Sequence, residues 1–266
     1  MRNFVVFLAV TTSACLGHSE SLIVLYGNTR TLSVPCEVLI SDSATRPSNC
    51  DDAIAYVSVG EISAGDPRLS RIRSTGLLLG PSRQWHNALE VKADESQWWV
   101  EVAHQVEQRV AAGYDGVFFD TVDALCGKSS AVEKFEATLK RLDQEHRSVR
   151  WFINGGTCLS TTAWDRVDAV ISESLFGGFD WKSNEFVIVH NEVNRSAEIR
   201  RLQRLRAQRP NLRVYVVDYV PASPRALRQS ACERSAEAGF EIYFGPISLS
   251  RIDPLQCRLL GRLAKE

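Results

Sequence analysis

Eight short apolar runs constrain the fold of this chain more than any other feature of its sequence. The runs are continuous rather than alternating, which is typical of strands buried on both faces. They are SLIVLYG (21–27), EVLIS (37–41), AIAYVSVG (53–60), YDGVFF (114–119), RWFING (150–155), AVISES (169–174), RVYVVDY (213–219) and FEIYFG (240–245). Between the later runs, apolar residues recur at helical spacing, as at Val102, Val106 and Val110. This alternation of strands and helices predicts a parallel sheet.

The number of strands favours a closed barrel. Eight strands in a chain of 266 residues match the α/β class and, within it, a (β/α)8 TIM barrel. The first two runs leave little room for a helix between them, and LLLG (77–80) is expected to form an extra strand. An open doubly wound sheet is the alternative, although no glycine-rich phosphate-binding motif follows any predicted strand.

The N-terminus has the pattern of an export signal. The basic Arg2 is followed by an apolar run from Phe4 to Val10 and by small residues up to Ala14. We therefore expect residues 1–17 to be a signal peptide and residues 18–266 to form one domain, secreted or periplasmic. A lipoprotein signal that ends before Cys15 is the alternative, and a lipid anchor at Cys15 would then be the contact with a membrane.

Charge and cysteine content limit the kinds of partner and site. The chain has 31 basic and 32 acidic side chains and shows no basic stripe, so no nucleic acid partner is expected. Neither a metal site nor a cofactor is predicted, because the cysteines and histidines lack ligand spacing. Apart from Cys15 there are six cysteines, and an even number in an exported chain indicates disulfides. A monomer is expected.

Carboxylates stand at the ends of several predicted strands, where a barrel carries its chemistry. Together with one amide they are Asp42, Glu61, Asp120, Asp123, Asn154, Glu173 and Asp218. Any single one of them can be a helix cap or a turn residue, but caps explain less well why so many share one end of a barrel. Crowded carboxylates repel one another, which leaves one ionised and one protonated, as cleavage of a glycosidic bond requires. A metal site of Asp and Glu would look similar in sequence.

Several motifs, in their order and spacing, resemble glycoside hydrolase family 114. These motifs are YVSVGE (56–61), GYDGVFFDTVD (113–123), FINGG (152–156), ISESLF (171–176), VVDYV (216–220) and GFEIYFG (239–245). The resemblance implies a (β/α)8 fold and an endo-acting hydrolase of α-1,4-linked polygalactosamine that needs no metal. Its expected partner is a cationic or partly acetylated galactosamine polymer, which a negatively charged cleft would suit.

The resemblance also implies roles for particular residues. Asp120 and Glu173 are expected to be the catalytic pair, with Asp120 as nucleophile and Glu173 as general acid/base of a retaining mechanism; the two roles can be exchanged. Trp181, directly after the sixth strand, is the aromatic residue expected to stack on a sugar ring. The other expected substrate contacts are Tyr26, Asp42, Glu61, Asp123, Asn154, Asp218 and Tyr243.

On this barrel, two cysteines follow neighbouring strands at the active end, and a bridge between them would stiffen the loops around the cleft. The expected disulfides are Cys126–Cys158, with Cys36–Cys50 and Cys232–Cys257 as the remaining local pairs. Two other functions stay open at this point. One is a sugar-binding barrel without catalysis, against which the presence of both Asp120 and Glu173 argues. The other is a metal-dependent barrel enzyme that acts on small molecules.

Overall fold

The computed structural model describes residues 20–27, 35–82, 85–180, 185–188, 192–223 and 225–257. In chain order its strands are β1 (Glu20–Leu25), β2 (Cys36–Ser41), β3 (Cys50–Ser58), β4 (Glu61–Ser63), β5 (Leu78–Pro81), β6 (Ala88–Val91), β7 (Gly116–Asp120), β8 (Arg150–Asn154), β9 (Ala169–Glu173), β10 (Gly177–Asp180), β11 (Glu185–Ile188), β12 (Arg213–Asp218) and β13 (Glu241–Phe244). Its helices are α1 (Leu69–Ser74), α2 (Ser96–Ala111), α3 (Ser129–Glu145), α4 (Thr161–Trp164), α5 (Glu192–Gln208) and α6 (Arg225–Ala238), with a short 3-10 helix (Val122–Leu125) after β7.

Eight of these strands form one parallel sheet in the order β1-β2-β3-β7-β8-β9-β12-β13. Strand order follows chain order throughout, whereas an open doubly wound sheet reverses it at a switch point. At the seam between the last strand and the first, the Tyr243 hydroxyl donates to the Val24 carbonyl oxygen at 3.3 Å. The predicted (β/α)8 TIM barrel is therefore confirmed. Residues 42–49, between β2 and β3, contain no helix. Most of the connection between β1 and β2, where little room for a helix is expected, lies outside the described residues, so that expectation stays a prediction.

Alternation along the strands decides which side chains reach the barrel interior. On β7, Phe118 packs inside the barrel with Phe152 and Ile171, whereas Val117 and Phe119 pack outside against the helices. Because successive side chains of a strand point to opposite faces, the next inward positions lie two residues further on. Those positions are Asp120, Asn154 and Glu173. The polar residues at these strand ends thus form the top layer of the barrel interior.

A second, three-stranded antiparallel sheet lies between β3 and α2 in the chain, in the order β4-β6-β5; we call it the mouth sheet. It contains the extra strand predicted from LLLG, which is part of this sheet rather than of the barrel. Below it, the Trp98 indole of α2 donates to the Val59 carbonyl oxygen at 2.8 Å, and this bond fixes the helix beneath the end of β3.

All three expected disulfides are present: Cys36–Cys50, Cys126–Cys158 and Cys232–Cys257. Cys126–Cys158 joins the loop after β7 to the loop after β8. Within the described ranges, no helix combines the length and the apolar content that a membrane span requires. The expected signal peptide and Cys15 lie outside the described residues.

Candidate active site

Asp120 and Glu173 end two strands that are separated in the barrel only by β8. Asn154 ends β8 between them, and its Nδ2 donates to Asp120 Oδ1 and to Glu173 Oε1, at 2.7 Å in each case. One nitrogen therefore contacts both carboxylates, and the two acceptor oxygens lie no more than twice that distance apart. The barrel places the three side chains in a row because their strands are neighbours and each side chain points inward.

Each of the two carboxylates also has further donors. The Tyr56 hydroxyl donates to Asp120 Oδ2 at 2.8 Å, and the Thr121 backbone N–H donates to Asp120 Oδ1 at 2.7 Å. The Tyr219 hydroxyl donates to Glu173 Oε2 at 2.6 Å. Burial raises the pKa of both tyrosines well above the ordinary value, and the nearby carboxylates raise it further, so both phenols remain protonated donors.

Glu173 differs from an ordinary surface glutamate in its affinity for protons. The Glu173 side chain is accessible from the cleft, but the protein atoms packed around its carboxyl group displace much of its hydration. This desolvation, followed by the negative charge of Asp120, raises the pKa of Glu173 from 4.5 to about 7. The hydrogen bonds from Tyr219 and Asn154 act in the opposite direction and limit this rise in pKa. Glu173 can therefore hold a proton near neutral pH, as a general acid must.

The backbone turns in the same unusual way directly after each carboxylate. Thr121 has φ 60° and Ser174 has φ 53°, the left-handed region that non-glycine residues seldom adopt. Thr121 Oγ1 accepts hydrogen bonds from the backbone N–H groups of Val59 at 3.2 Å and Gly60 at 2.8 Å, so it ties the end of β3 to the end of β7. Strained conformations of this kind cost about 1–3 kcal/mol each and cluster at functional sites.

A cleft of about 680 Å³ opens above the two carboxylates. It extends from Tyr26 and Leu249 on one side to the mouth sheet and Trp85 on the other. The structure brings five of the expected site residues to the cleft wall: Tyr26, Asp42, Glu61, Asp120 and Glu173. Asn154 does not line the cleft but lies between the two carboxylates, and Trp181 lies outside the described residues. Within the described ranges, no group of three or more His, Cys, Asp or Glu has the arrangement of a metal site.

The structure corrects the expectation that Asp218 contacts substrate. Asp218 is fully buried and accepts hydrogen bonds from the backbone N–H groups of Leu175 at 2.8 Å, Phe176 at 3.0 Å and Gly177 at 2.7 Å. Burial raises its pKa to about 7, against the opposite effect of these bonds and of the charge of Arg195. Asp218 points away from the barrel interior because it alternates with the inward Val217, so it supports the loop after β9.

Tyr243 needs the same correction, whereas a substrate contact by the exposed Asp123 stays a prediction. Tyr243 points inward but is only 1% exposed and lies below the cleft, where it closes the seam with β1. Asp123 does not line the cleft; its Oδ1 accepts hydrogen bonds from the Thr157 N–H at 3.0 Å and hydroxyl at 3.2 Å. Together with the Cys126–Cys158 disulfide, Asp123 ties the loop after β7 to the loop after β8.

Four residues of the site are not among the expected substrate contacts: Tyr56, Trp85, Thr121 and Tyr219. The sequence shows Trp85 as one of several aromatic residues near strand ends and Tyr219 at the end of the seventh strand, without a role for either. Alternation could have identified the two tyrosines, since Tyr56 follows the inward Ile54 by two residues and Tyr219 follows the inward Val217 in the same way. Trp85 lies in the β5–β6 connection, and no pattern in the sequence points to its place at the cleft.

Comparisons with known proteins agree with this geometry. A family model described as Glycoside-hydrolase family GH114 matches residues 22–258. The glycoside hydrolase domain of PelA from Pseudomonas aeruginosa has a similar structure, with a TM-score of 0.73, 20% identity, and coverage of 88% of this chain and 97% of that chain. Ega3 from Aspergillus fumigatus, solved with galactosamine, gives a TM-score of 0.63 at 11% identity, covering 89% and 94%. At these identities both likenesses show the fold, and a comparison with curated protein sequences found no match.

Proposed function

Since this chain belongs to glycoside hydrolase family GH114 and is therefore a glycoside hydrolase, we propose that it cleaves internal α-1,4 bonds of a galactosamine-containing polysaccharide with retention of configuration. The polymer class is supported by the motifs that resemble the family and by the galactosamine bound to the structurally similar Ega3. An open cleft rather than a closed pocket suits an endo-acting enzyme, since a long chain can pass through it.

One observation carries the mechanistic part of this proposal: Asn154 Nδ2 is 2.7 Å from both Asp120 Oδ1 and Glu173 Oε1. Carboxyl groups of retaining glycosidases are about 5–5.5 Å apart, whereas inverting enzymes need about 6.5–9.5 Å to admit a water molecule. The shared donor limits the distance between Asp120 Oδ1 and Glu173 Oε1 to a value that agrees with the separation in retaining enzymes. A separation in this range leaves less room for a water molecule between the carboxylates than an inverting enzyme needs, which supports retention.

In the first step, Asp120 acts as nucleophile. One of its carboxylate oxygens attacks the anomeric carbon while the bond to the leaving oxygen breaks and Glu173 transfers its proton to that oxygen. The donors Tyr56, Asn154 and the Thr121 N–H stabilise negative charge on Asp120 and fix its orientation before attack. Because its pKa is raised, Glu173 still holds at neutral pH the proton that it donates.

In the second step, water releases the sugar from Asp120. Glu173 is now ionised and takes a proton from the water, whose oxygen attacks the anomeric carbon and breaks the ester bond to Asp120. Both carboxyl groups return to their starting protonation. Two displacements on opposite faces leave the configuration of the product the same as that of the substrate.

The proposal extends to the location of the enzyme. Three disulfides fit an oxidising, extracellular compartment. We propose that residues 1–17 direct export, and that a lipid at Cys15 is the alternative form of the mature N-terminus. The intact mass of the N-terminal peptide of the mature protein separates the two: a free N-terminus after cleavage supports release, and a diacylated Cys15 supports anchoring.

Activity on defined α-1,4-linked galactosamine oligomers tests the proposed function. Asp120→Asn and Glu173→Gln should each lower kcat by about 10²- to 10⁴-fold, because each removes one half of the two-carboxylate chemistry. Asp123→Asn is the matched control, since this carboxylate lies three residues on and outside the cleft. Near-normal turnover by both Asp120→Asn and Glu173→Gln would show that these two residues are not the catalytic pair.

Azide distinguishes the two roles. With an aryl α-glycoside, whose leaving group needs no proton, azide added to Glu173→Ala should restore turnover by replacing water in the second step, and the product should be the α-glycosyl azide. Azide added to Asp120→Ala should instead enter from the opposite face and give the β-glycosyl azide. The opposite pairing of variants and products would exchange the roles of Asp120 and Glu173.

A further inference from the structure

Although Arg68, His86 and Arg109 also line the cleft, the buried carboxylate of Glu61 forms no ion pair with any of them. Glu61 is only 8% exposed and begins β4 of the mouth sheet, on the cleft wall. Its Oε1 accepts a hydrogen bond from Ser82 Oγ at 2.7 Å. In the described part of the chain, no Lys, Arg or His forms an ion pair with it. Buried charges in proteins are as a rule paired, so an unpaired one calls for an explanation.

The neighbours of Glu61 make its position less favourable. Glu90 on β6 is its direct partner across the antiparallel pair, and like charges directly opposite each other destabilise a sheet. Burial raises the pKa of Glu61, and the charges of Asp120 and Glu90 add to this effect, which only the Ser82 hydrogen bond opposes. Negative charge therefore accumulates at this part of the cleft wall, and a cation that enters from the cleft would relieve it.

An aromatic side chain is held next to this carboxylate. Of the four large apolar side chains that are exposed in the described chain, Trp85 is the one aromatic, at 44% exposure, and it lines the cleft. Ser82 Oγ connects the two residues, because it donates to Glu61 and accepts a hydrogen bond from the Trp85 backbone N–H at 3.0 Å. One hydroxyl thus ties the backbone of Trp85 to the carboxylate of Glu61, and both side chains line the cleft.

We infer that Glu61, Ser82 and Trp85 form a subsite for a hexosamine unit with a free 2-ammonium group. The ammonium group pairs with Glu61, and the apolar face of the sugar ring stacks on Trp85. This inference rests on the proposed function and adds to it: the subsite selects a deacetylated unit in the same cleft as the bond that is cleaved, since Glu61 and Asp120 both line it.

An N-acetylated unit fits this subsite less well for an electrostatic reason. Its neutral amide carries no charge to compensate Glu61, so the carboxylate would lose access to water without gaining a cation. A site that leaves a buried charge unpaired discriminates strongly against the wrong ligand. Selectivity therefore comes from Glu61, and Trp85 contributes affinity for either kind of sugar.

The test compares two sets of α-1,4 oligomers, one with all amino groups free and one with a single N-acetyl group at each position in turn. For wild type, kcat/KM should be higher when the unit at this subsite is free. In Glu61→Gln, the ratio of free to acetylated kcat/KM should fall about 10- to 100-fold, as expected for loss of a charge-assisted hydrogen bond. Trp85→Ala should raise KM for both substrates and keep the ratio.

Glu90→Gln is the matched control, because it makes the same change on the neighbouring strand at a residue that does not line the cleft. It should keep the wild-type ratio. Thermal melting confirms folding of each variant, and Ser82→Ala gives a second way to disturb Glu61 should Glu61→Gln not fold. If Glu61→Gln keeps the wild-type ratio of free to acetylated kcat/KM, including through equal losses on both substrates, the inference is overturned.

Failure of the proposed function has a different appearance. In that case wild type cleaves neither oligomer, and the subsite is tested by calorimetric titration of the free and acetylated oligomers into wild type and Glu61→Gln. Tighter binding of the free oligomer to wild type, lost in the variant, supports the subsite without catalysis. Equal binding of both oligomers to wild type rejects it.

Discussion

Asp120 and Glu173 accept hydrogen bonds from one shared nitrogen, so their nearest oxygens lie no more than twice 2.7 Å apart. Two carboxylates this close cannot both ionise without cost, and the proton stays on the one whose surroundings disfavour charge more. Here that residue is Glu173, which is raised in pKa by burial and by Asp120. The shared donor, Asn154, limits the repulsion and fixes the separation.

Asn154→Ala should lower activity and change its pH dependence. Loss of the shared donor releases both carboxylates, and kcat should fall by about 10- to 100-fold, the equivalent of one hydrogen bond to a charged group. The Asn154 hydrogen bond lowers the pKa of Glu173, so its loss should move the alkaline limb of the kcat/KM profile to higher pH. A lower rate with an unmoved limb would contradict this role, because a general loss of structure would not shift a pKa.

The wild-type enzyme should lose activity as the pH rises through about 7. A general acid works in its protonated form, and the pKa of Glu173 is raised to about 7. Tyr219→Phe removes a second hydrogen bond that lowers the pKa of Glu173, so its alkaline limb should lie at higher pH than that of wild type. The measurement is kcat/KM against pH for both proteins, and a limb at lower pH in Tyr219→Phe would refute the assignment.

The same pKa predicts how stability changes with pH. Folded Glu173 binds its proton more tightly than unfolded Glu173, whose pKa is near 4.5, so its contribution to stability is complete below that value. That contribution is lost as the pH rises through about 7. Glu173→Gln cannot ionise, so its melting temperature should fall less than that of wild type between about pH 5 and about pH 8. Parallel curves from scanning calorimetry would argue against a raised pKa.

Thr121 should matter through its hydroxyl. Thr121→Val keeps the branched shape but leaves the Gly60 N–H without its acceptor, and it should lower the free energy of unfolding by about 1–3 kcal/mol. Thr121→Ser keeps the hydroxyl and is the control. Urea unfolding of the three proteins measures the effect. A Thr121→Val variant as stable as Thr121→Ser would show that the hydroxyl bonds are not needed.

The Cys126–Cys158 disulfide should stabilise the loops that follow β7 and β8, next to the site. Replacing both cysteines by alanine should lower the free energy of unfolding by about 2–4 kcal/mol, because the bridge restricts the unfolded chain. Asp123 still connects the two loops through Thr157, so the substrate should bind with a similar KM. Unfolding and kinetics are measured on the same preparations, and a large rise in KM would show that Asp123 alone does not hold the loops.

Patterns along the chain were sufficient to predict the barrel. Each strand is a continuous apolar run, and strands that follow one another in the chain are neighbours in the barrel, so Asp120, Asn154 and Glu173 were placed at one end from sequence. A continuous apolar run does not show which side chains point inward, and Asp218 is wrongly expected at the cleft for this reason. The next inward residue, two positions after Val217, is Tyr219, which donates a hydrogen bond to Glu173. Asp218 lies between these two residues and points outward.

Other features depend on contacts that no local pattern encodes. Tyr243 has the inward direction but is buried below the cleft, where its hydroxyl donates to the Val24 carbonyl oxygen of β1. Asp123 accepts from Thr157, 34 positions away, which the spacing of motifs does not reveal. Trp85 and Glu61 come together because β4, β5 and β6 pair as a sheet, and neither the short strands nor their order has a strong signal.

A retaining mechanism that uses Asp120 and Glu173 determines the anomeric form of the first product. Time-resolved proton NMR of the first products from an α-1,4-linked galactosamine oligomer tests it most directly, because the signal of the new reducing end appears before the anomers equilibrate. With retention, the α anomer should be released first and the β anomer should grow later. Release of the β anomer first would contradict it.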